Sequence, residues 1–180
     1  MSAQVIRIRA MQIEDIEQVA ALDRLSFSLP WSANSYRFEL FENQNSHLWV
    51  SELVREDQSY QIAAMIVVWQ ILDEAHIATI AVHPDYRRLG IGKHLLAYSL
   101  KHAAQRGMVN ATLEVRAGNQ AAQALYEQFG FYITGVRHRY YQDNHEDALI
   151  MDAKLAGLAD WICCTENTLI LPKEKENEAR

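Results

Sequence analysis

The sequence predicts a mixed α/β fold (α+β by some classifications), with a central sheet of about seven strands flanked by about four helices. Three observations carry this expectation. Apolar residues change period along the chain, from alternation to three- and four-residue steps and back again. Two successive segments are nearly continuous in apolar residues, as strands covered on both faces are. The 180 residues are 49% hydrophobic, which suffices for one core and is too few for two comfortable domains.

In chain order, Val5 to Arg9 alternates apolar and basic residues and reads as a strand. Asp15 to Leu25 sets Ile16, Val19, Ala20 and Leu25 near helical spacing, "SFSLPWS" breaks it, and Asn34 to Phe41 reads as a second helix. "HLWVSELV", "QIAAMIVVWQIL" and "HIATIAV" follow as three strands, with "EDQ" and "DEA" as their turns. Leu95, Leu96, Leu100, Ala103 and Ala104 then recur at helical steps until Gly107 stops them. "VNATLEVRA" alternates strictly: Val109, Ala111, Leu113, Val115 and Ala117 face a core, while Asn110, Thr112, Glu114 and Arg116 face away from it. A last helix turns Ala121, Ala122, Leu125 and Phe129 inward and ends at Gly130, and "FYITGVRHRYY" and "EDALIMDAKL" supply two more strands. Residues 1–155 are thus expected to form the domain. Residues 156–180 are an extension, apolar at first and ending in the charged tail "PKEKENEAR". Trp161, Ile162 and Leu169 to Leu171 in it would either dock another protein or pad the sheet's own surface.

Charge and cysteine usage exclude several function classes. With 17 Lys+Arg against 23 Asp+Glu, the net charge of -6 argues against a nucleic-acid binder held by phosphate contacts and leaves room for a cationic partner. The two cysteines, Cys163 and Cys164, are adjacent, too close for an ordinary disulfide. The N-terminal segment meets acidic residues early and never builds the apolar run of a signal peptide, and no stretch is long enough to span a bilayer. A cytoplasmic protein without membrane contact is therefore expected. The histidines lack the paired spacing of a zinc helix, so no metal is expected.

The segment "HPDYRRLGIGKHLL", His83 to Leu96, places glycines and bases at the mouth of a helix. It fails two phosphate-loop patterns. A Walker A loop needs glycine where Arg87 stands and Ser or Thr where His94 stands, and a dinucleotide fingerprint needs glycine at Leu95. The physics those loops share is kept, since glycines let the backbone come close and the first amides of a helix are unpaired donors that favour anions. Arg87, Arg88 and Lys93 add positive charge at the same place.

Arg87-x-x-Gly90-x-Gly92, after a buried strand and before a helix, resembles the coenzyme A pyrophosphate loop of the GNAT superfamily of N-acetyltransferases. The likeness extends over Val5 to Leu155. With "LEVRAGNQAAQALYEQFGF" and "YYQDNHEDALIM", the chain is similar to the RimI-like branch, the bacterial ribosomal-protein alanine N-acetyltransferases. The resemblance implies acetyl-CoA as co-substrate and a protein N-terminus, that of a basic ribosomal protein, as acceptor. It implies that Ile80, Ala81 and Val82 offer backbone groups to the acetyl and pantetheine portions, that Arg87, Arg88, Leu89, Gly90, Ile91, Gly92 and Lys93 hold the diphosphate, and that Asn119 anchors the coenzyme. Glu114 would be the catalytic base, and Tyr126 would serve the departing sulfur as acid. By position alone, Glu114 is equally an exposed strand carboxylate, Tyr126 a packing aromatic and Asn119 a helix N-cap. "FSLPWS" and "RYYQDNHED" would flank the peptide entrance, with Trp31, Tyr140 and Tyr141 either packing the first peptide residues or closing the core. Glu146 or Asp147 would attract a basic chain. The branch's proline after the tyrosine pair is replaced by Gln142. Other acceptors of the superfamily (a lysine side chain, an amino acid, a polyamine) use the same chemistry, and a non-catalytic acyl-CoA binding module is the reading without it.

Overall fold

The structure, a computed structural model, describes residues 4–55, 59–157 and 166–171. Cys163, Cys164, Trp161, Ile162 and the charged tail lie outside the described residues. The strands are β1 (Val5–Ala10), β2 (Ser46–Val54), β3 (Tyr60–Ile71), β4 (Glu74–Val82), β5 (Asn110–Arg116), β6 (Tyr132–Arg137), β7 (Ala148–Lys154) and β8 (Thr168–Ile170). The helices are α1 (Ile16–Ser26), α2 (Ala33–Phe41), α3 (Ile91–Gln105) and α4 (Gln120–Glu127). The strands form one sheet in the order β6-β7-β5-β4-β3-β2-β1-β8. Every neighbouring pair is antiparallel except β4 and β5, which are parallel and joined through α3.

Helices cover the sheet on both faces, so its central strands are apolar on both sides. Along β3, Ala64, Ile66 and Val68 pack toward Leu95, Leu96 and Leu100 of α3, while Met65 and Val67 pack toward Ile16, Val19 and Leu22 of α1 and Tyr36 of α2. This is the physical reason that "QIAAMIVVWQIL" lacks alternation. β5 keeps alternation because one of its faces lies in the main core while the other is partly open beside a cleft: Ala111, Leu113 and Val115 are buried, and the residues between them are partly open.

The sheet has one strand more than the sequence predicts. β8 pairs antiparallel with β1, and Leu171 is buried in the core with Leu169 packed against it. These leucines therefore pad the sheet. β1 is an edge strand without β8, and covering its free N–H and C=O groups is the gain. Some residues expected inside are not. Ala104 and Ala121 are exposed on their helices, Ala117 is exposed, and Val109 and Leu25 are largely open. Val109 and Ala117 lie just outside the β5 ladder, with their amides bonded to Asp73 and Asp147 carbonyls, so the alternation continues in sequence after the sheet has ended.

Candidate active site

β4 and β5 pair only from Glu74–Ile77 against Asn110–Leu113. Beyond Ile77 they part, because β4 follows β3 as far as Val82 opposite Ala64, while β5 follows β7 as far as Arg116 opposite Ala148. A bulge marks the parting: Ile77 faces Val68 and Thr79 faces Val67, which leaves Ala78 without an opposite residue. The opened sheet holds a cleft of about 890 Å³. Its lining includes Ile80, Ala81, Val82, Gly92, Glu114, Asn119, Tyr126, Trp31, Tyr140 and Tyr141, so residues predicted from five separate sequence segments meet in one space.

One wall is mostly backbone. After a 3-10 turn at Pro84–Tyr86, Arg88 (φ 67°) and Gly90 (φ 83°) adopt the left-handed conformation, and α3 starts at Ile91. The first intrahelical bond runs from the His94 N–H to the Gly90 carbonyl at 2.9 Å. Amides before His94 therefore stand at the positive end of the helix dipole, in a turn suited to an anion such as a diphosphate. Gly92 presses against β4: a Cβ there would come to 3.0 Å from Val82 Cγ2. The Arg87 Nε donates to the Val82 carbonyl at 3.0 Å, tying the turn to the strand end, and Lys93 Nζ donates to Gln128 Oε1 at 2.8 Å. Arg87, Arg88, Leu89, Gly90, Ile91 and Lys93 do not line the cleft itself; they continue from it beyond Gly92 and Val82. Ile91 is buried, so its side chain serves the core.

α4 closes this wall. Asn119 is its N-cap, with Oδ1 accepting from the Ala122 N–H at 3.2 Å, and its side chain also borders the cleft. Tyr126, about two turns later on the same face, is 6% exposed and lies near Phe131, ring centroids 5.8 Å apart. Burial, with Tyr141 nearby, pushes its phenol well above the ordinary tyrosine range. Such a group stays protonated and donates hydrogen bonds.

The other wall is built of side chains. Glu114 extends from β5 with Oε2 at 3.3 Å from His76 Nε2 and Oε1 at 3.1 Å from Arg137 Nη2. His76 stacks on Trp69 and Trp69 on Trp31, with interplanar angles of 12° and 18°. Trp31 and Tyr141 are half-buried, and both pack against neighbours and face the cleft. Tyr140 is 45% exposed beside Arg137, 5.5 Å from ring centroid to Cζ.

Arg116 joins the two entrance loops. It bonds Asp143 at 2.8 Å, Glu146 at 3.1 Å and the Ser28 hydroxyl at 3.1 Å, and its Cζ lies 3.8 Å from the Tyr141 ring centroid. Glu146 also accepts from the Gly118 N–H at 2.7 Å, and Asp147 accepts from the Arg139 N–H at 2.7 Å and lies beside His138. Both carboxylates expected to attract a basic chain are thus used to shape the loop. With Gln142 in place of proline, the loop takes its form from these bonds and from left-handed Arg139 and His145. Sequence reading missed Arg116, Arg137, His76 and Trp69 as site residues. The polar face of "VNATLEVRA" was the signal for Arg116, whereas nothing local marks the other three.

The acetyltransferase (GNAT) family model matches residues 14–131. The chain belongs to that family. The [ribosomal protein bS18]-alanine N-acetyltransferase of Salmonella typhimurium is 36% identical over 80% of this chain and 94% of its own length, and that of Escherichia coli is 35% identical over the same shares. The crystal structure of the ribosomal-protein-S18-alanine N-acetyltransferase from Escherichia coli superposes with a TM-score of 0.73 at 32% identity, covering 83% of this chain and 94% of that one. The fold is shared with a chain of the NatC complex bound to Gag peptide and CoA, at a TM-score of 0.73 and 23% identity, covering 83% of this chain and 98% of that one. This GNAT chain is an acetyl-CoA-dependent N-acetyltransferase. Among the described residues, no helix is long and apolar enough to cross a membrane, and no cluster of His, Cys, Asp or Glu is arranged to hold a metal ion.

Proposed function

We propose that the chain acetylates the α-amino group of the N-terminal alanine of ribosomal protein bS18, in the cytoplasm, by direct attack of the amine on acetyl-CoA. The observation that carries this reading is that Glu114 and Tyr126 line one cleft, opened by the parting of β4 and β5, whose lining ends at Gly92 in the amide-rich turn. The diphosphate would lie on the amides around Leu89 to Lys93, with Arg87 and Arg88 adding charge, and the pantetheine arm would run along Ile80 to Val82. The relatives' names supply the acceptor.

Glu114 would take a proton from the acceptor ammonium. An α-amino group titrates near ~8 against ~10.4 for lysine, so about a tenth of it is neutral at pH 7 in water, and Glu114 both completes that deprotonation in the cleft and offsets the positive charge that develops on nitrogen during attack. The neutral nitrogen attacks the thioester carbonyl, the C–N bond forms, and the C–S bond breaks as the tetrahedral intermediate collapses. The second nitrogen proton ends on the coenzyme sulfur. Thiol and phenol differ by ~1.5 pKa units in water, so outright donation from a tyrosine is uphill by about 2 kcal/mol. Burial raises the Tyr126 phenol further. Tyr126 therefore serves as a hydrogen-bond donor to the developing thiolate. Trp31, Tyr140 and Tyr141 would hold the first peptide residues, and a negatively charged enzyme suits a basic ribosomal protein.

Mass spectrometry of N-terminal peptides incubated with acetyl-CoA tests this. The bS18 N-terminal peptide should be acetylated in preference to peptides beginning with other residues, to free lysine and to polyamines. Glu114→Gln should lower kcat by about 10²–10³-fold with unchanged acetyl-CoA affinity. Faster acetylation of a lysine side chain or polyamine would move the acceptor, and coenzyme binding without turnover on any amine would leave a binding module.

A further inference from the structure

We propose that His76 is a positioning residue that, together with Arg137, clamps the Glu114 carboxylate in its working orientation from the floor of the cleft. The inference rests on Glu114 being the base.

Each carboxylate oxygen has its own ion-pair neighbour: His76 Nε2 lies 3.3 Å from Oε2 and Arg137 Nη2 lies 3.1 Å from Oε1. Two neighbours, one beside each oxygen, restrict the carboxylate plane as well as its place, and a free glutamate side chain would give up substantial rotamer entropy to reach the same geometry. With a proton on Nε2, the imidazole is placed to donate to Oε2 once substrate excludes water and the contact shortens. The two halves of the clamp are unequal. The Arg137 side chain is 53% exposed on edge strand β6, where an ion pair is screened by solvent, whereas that of His76 is 20% exposed.

His76 is itself held from behind. It stacks on Trp69 with ring centroids 5.5 Å apart, and Trp69 stacks on Trp31 at 6.0 Å. Trp69 Nε1 donates at 2.8 Å to Glu39 Oε2, which also accepts from Asn43 Nδ2 at 2.8 Å. Glu39 is 7% exposed in α2. The line Glu39, Trp69, His76, Glu114 thus connects α2 through β3 and β4 to the carboxylate on β5, using rigid rings in place of flexible side chains. His76 stands in the paired part of β4, opposite Thr112 and just before the bulge, so its backbone is fixed where that of Thr79 to Val82 has left β5.

Steady-state kinetics on the full chain, at saturating acetyl-CoA and bS18 peptide, test the inference through three variants. His76→Phe keeps a ring for Trp69 but removes the donor, and kcat should fall about tenfold with acetyl-CoA affinity by calorimetry unchanged. His76→Gln, which restores an N–H, should return to within about threefold of wild type. In the Glu114→Gln background, His76→Phe should change kcat by less than about twofold, because the residue acts through Glu114. Thermal melts establish that the variants fold, and His76→Leu is read in place of a His76→Phe that does not. Equal losses in His76→Phe and His76→Gln would reduce His76 to packing and overturn the inference. So would wild-type kcat in His76→Phe, or an undiminished further loss in the Glu114→Gln background. Wild-type kcat in Glu114→Gln removes the base and this inference with it. A damaged Glu114→Gln beside an intact His76→Phe removes this inference alone.

Discussion

The two walls of the cleft are built on different plans. The wall proposed for the coenzyme is nearly contiguous: strand end Ile80 to Val82, a tight turn with left-handed Arg88 and Gly90, and the start of α3, joined by the Arg87 bond to the Val82 carbonyl. The wall proposed for the acceptor draws Trp31, Trp69, His76, Glu114, Arg116 and Arg137 from separate elements and holds them by stacking and ion pairs. Backbone amides offer an anion the same donors whatever side chains surround them, which suits one invariant coenzyme. Side chains differ in shape and charge, which suits a wall that must select an acceptor. Changes in the first wall should therefore be read as coenzyme affinity, and changes in the second as peptide KM or turnover.

Tyr126 strains that division most, since it stands on the coenzyme wall yet is assigned to the chemistry. Tyr126→Phe should lower kcat by about 10- to 100-fold, the worth of one hydrogen bond to a charged group, with little change in acetyl-CoA affinity. Because burial raises its phenol, the pH profile of kcat should show no Tyr126 ionisation in the ordinary tyrosine range near ~10. A tyrosine-like limb there that vanishes in Tyr126→Phe would restore it as a true acid.

Replacing Arg87 and Arg88 together by Ala should weaken acetyl-CoA binding about tenfold by calorimetry, with peptide KM unchanged. An unaltered dissociation constant would detach the diphosphate from this turn. Gly92→Ala should act in the same direction, since its Cβ would meet Val82 Cγ2 at 3.0 Å.

On the acceptor wall, Arg116→Lys loses the planar fork that reaches both Asp143 and Glu146, and peptide KM should rise about fivefold at constant acetyl-CoA affinity. A shift in coenzyme affinity instead would show the walls to be coupled.

The smallest effect expected is with pH. The Ser28 hydroxyl and Arg116 hold Asp143 below the usual carboxylate range, and the Gly118 N–H and Arg116 do the same for Glu146. Groups with lowered pKa stabilise the loop above their unfolded values near ~4 and lose that contribution as pH falls through the lowered ones. Hydrogen exchange of residues 139–147 should accordingly be protected to the same degree from about pH 8 to about pH 5, and loosen only below about pH 4. Loosening well above that range would show that a group other than Asp143 and Glu146 controls the loop.

The contrast between the walls also explains what could be read in advance. The coenzyme wall was legible because glycine spacing, the strand-to-helix transition and the local charge are all close in sequence. Glu114 and Tyr126, which line the cleft, were singled out through motif resemblance, and the polar face of "VNATLEVRA" gave Glu114 a place. His76, Trp69 and Arg137 carried no local sign. Their meeting depends on which residue of β4 stands beside which of β5, and on β7 bringing β6 to the cleft. Glu146 and Asp147 were read as open charges, because a sequence does not show that Arg116 and backbone amides already engage them. The bulge at Ala78 was equally hidden, since an extra residue in one strand exists only relative to its partner.

By itself the sequence determined the fold class, the order of elements and the anion-suited turn, because hydrophobic period, glycine placement and helix-end chemistry act over a few residues. The tertiary structure alone decided where β4 leaves β5, that β8 closes the β1 edge, and that Glu114 lies between a histidine and an arginine. Those features depend on strand register and on packing between residues far apart in the chain, and such contacts have no spacing rule to betray them.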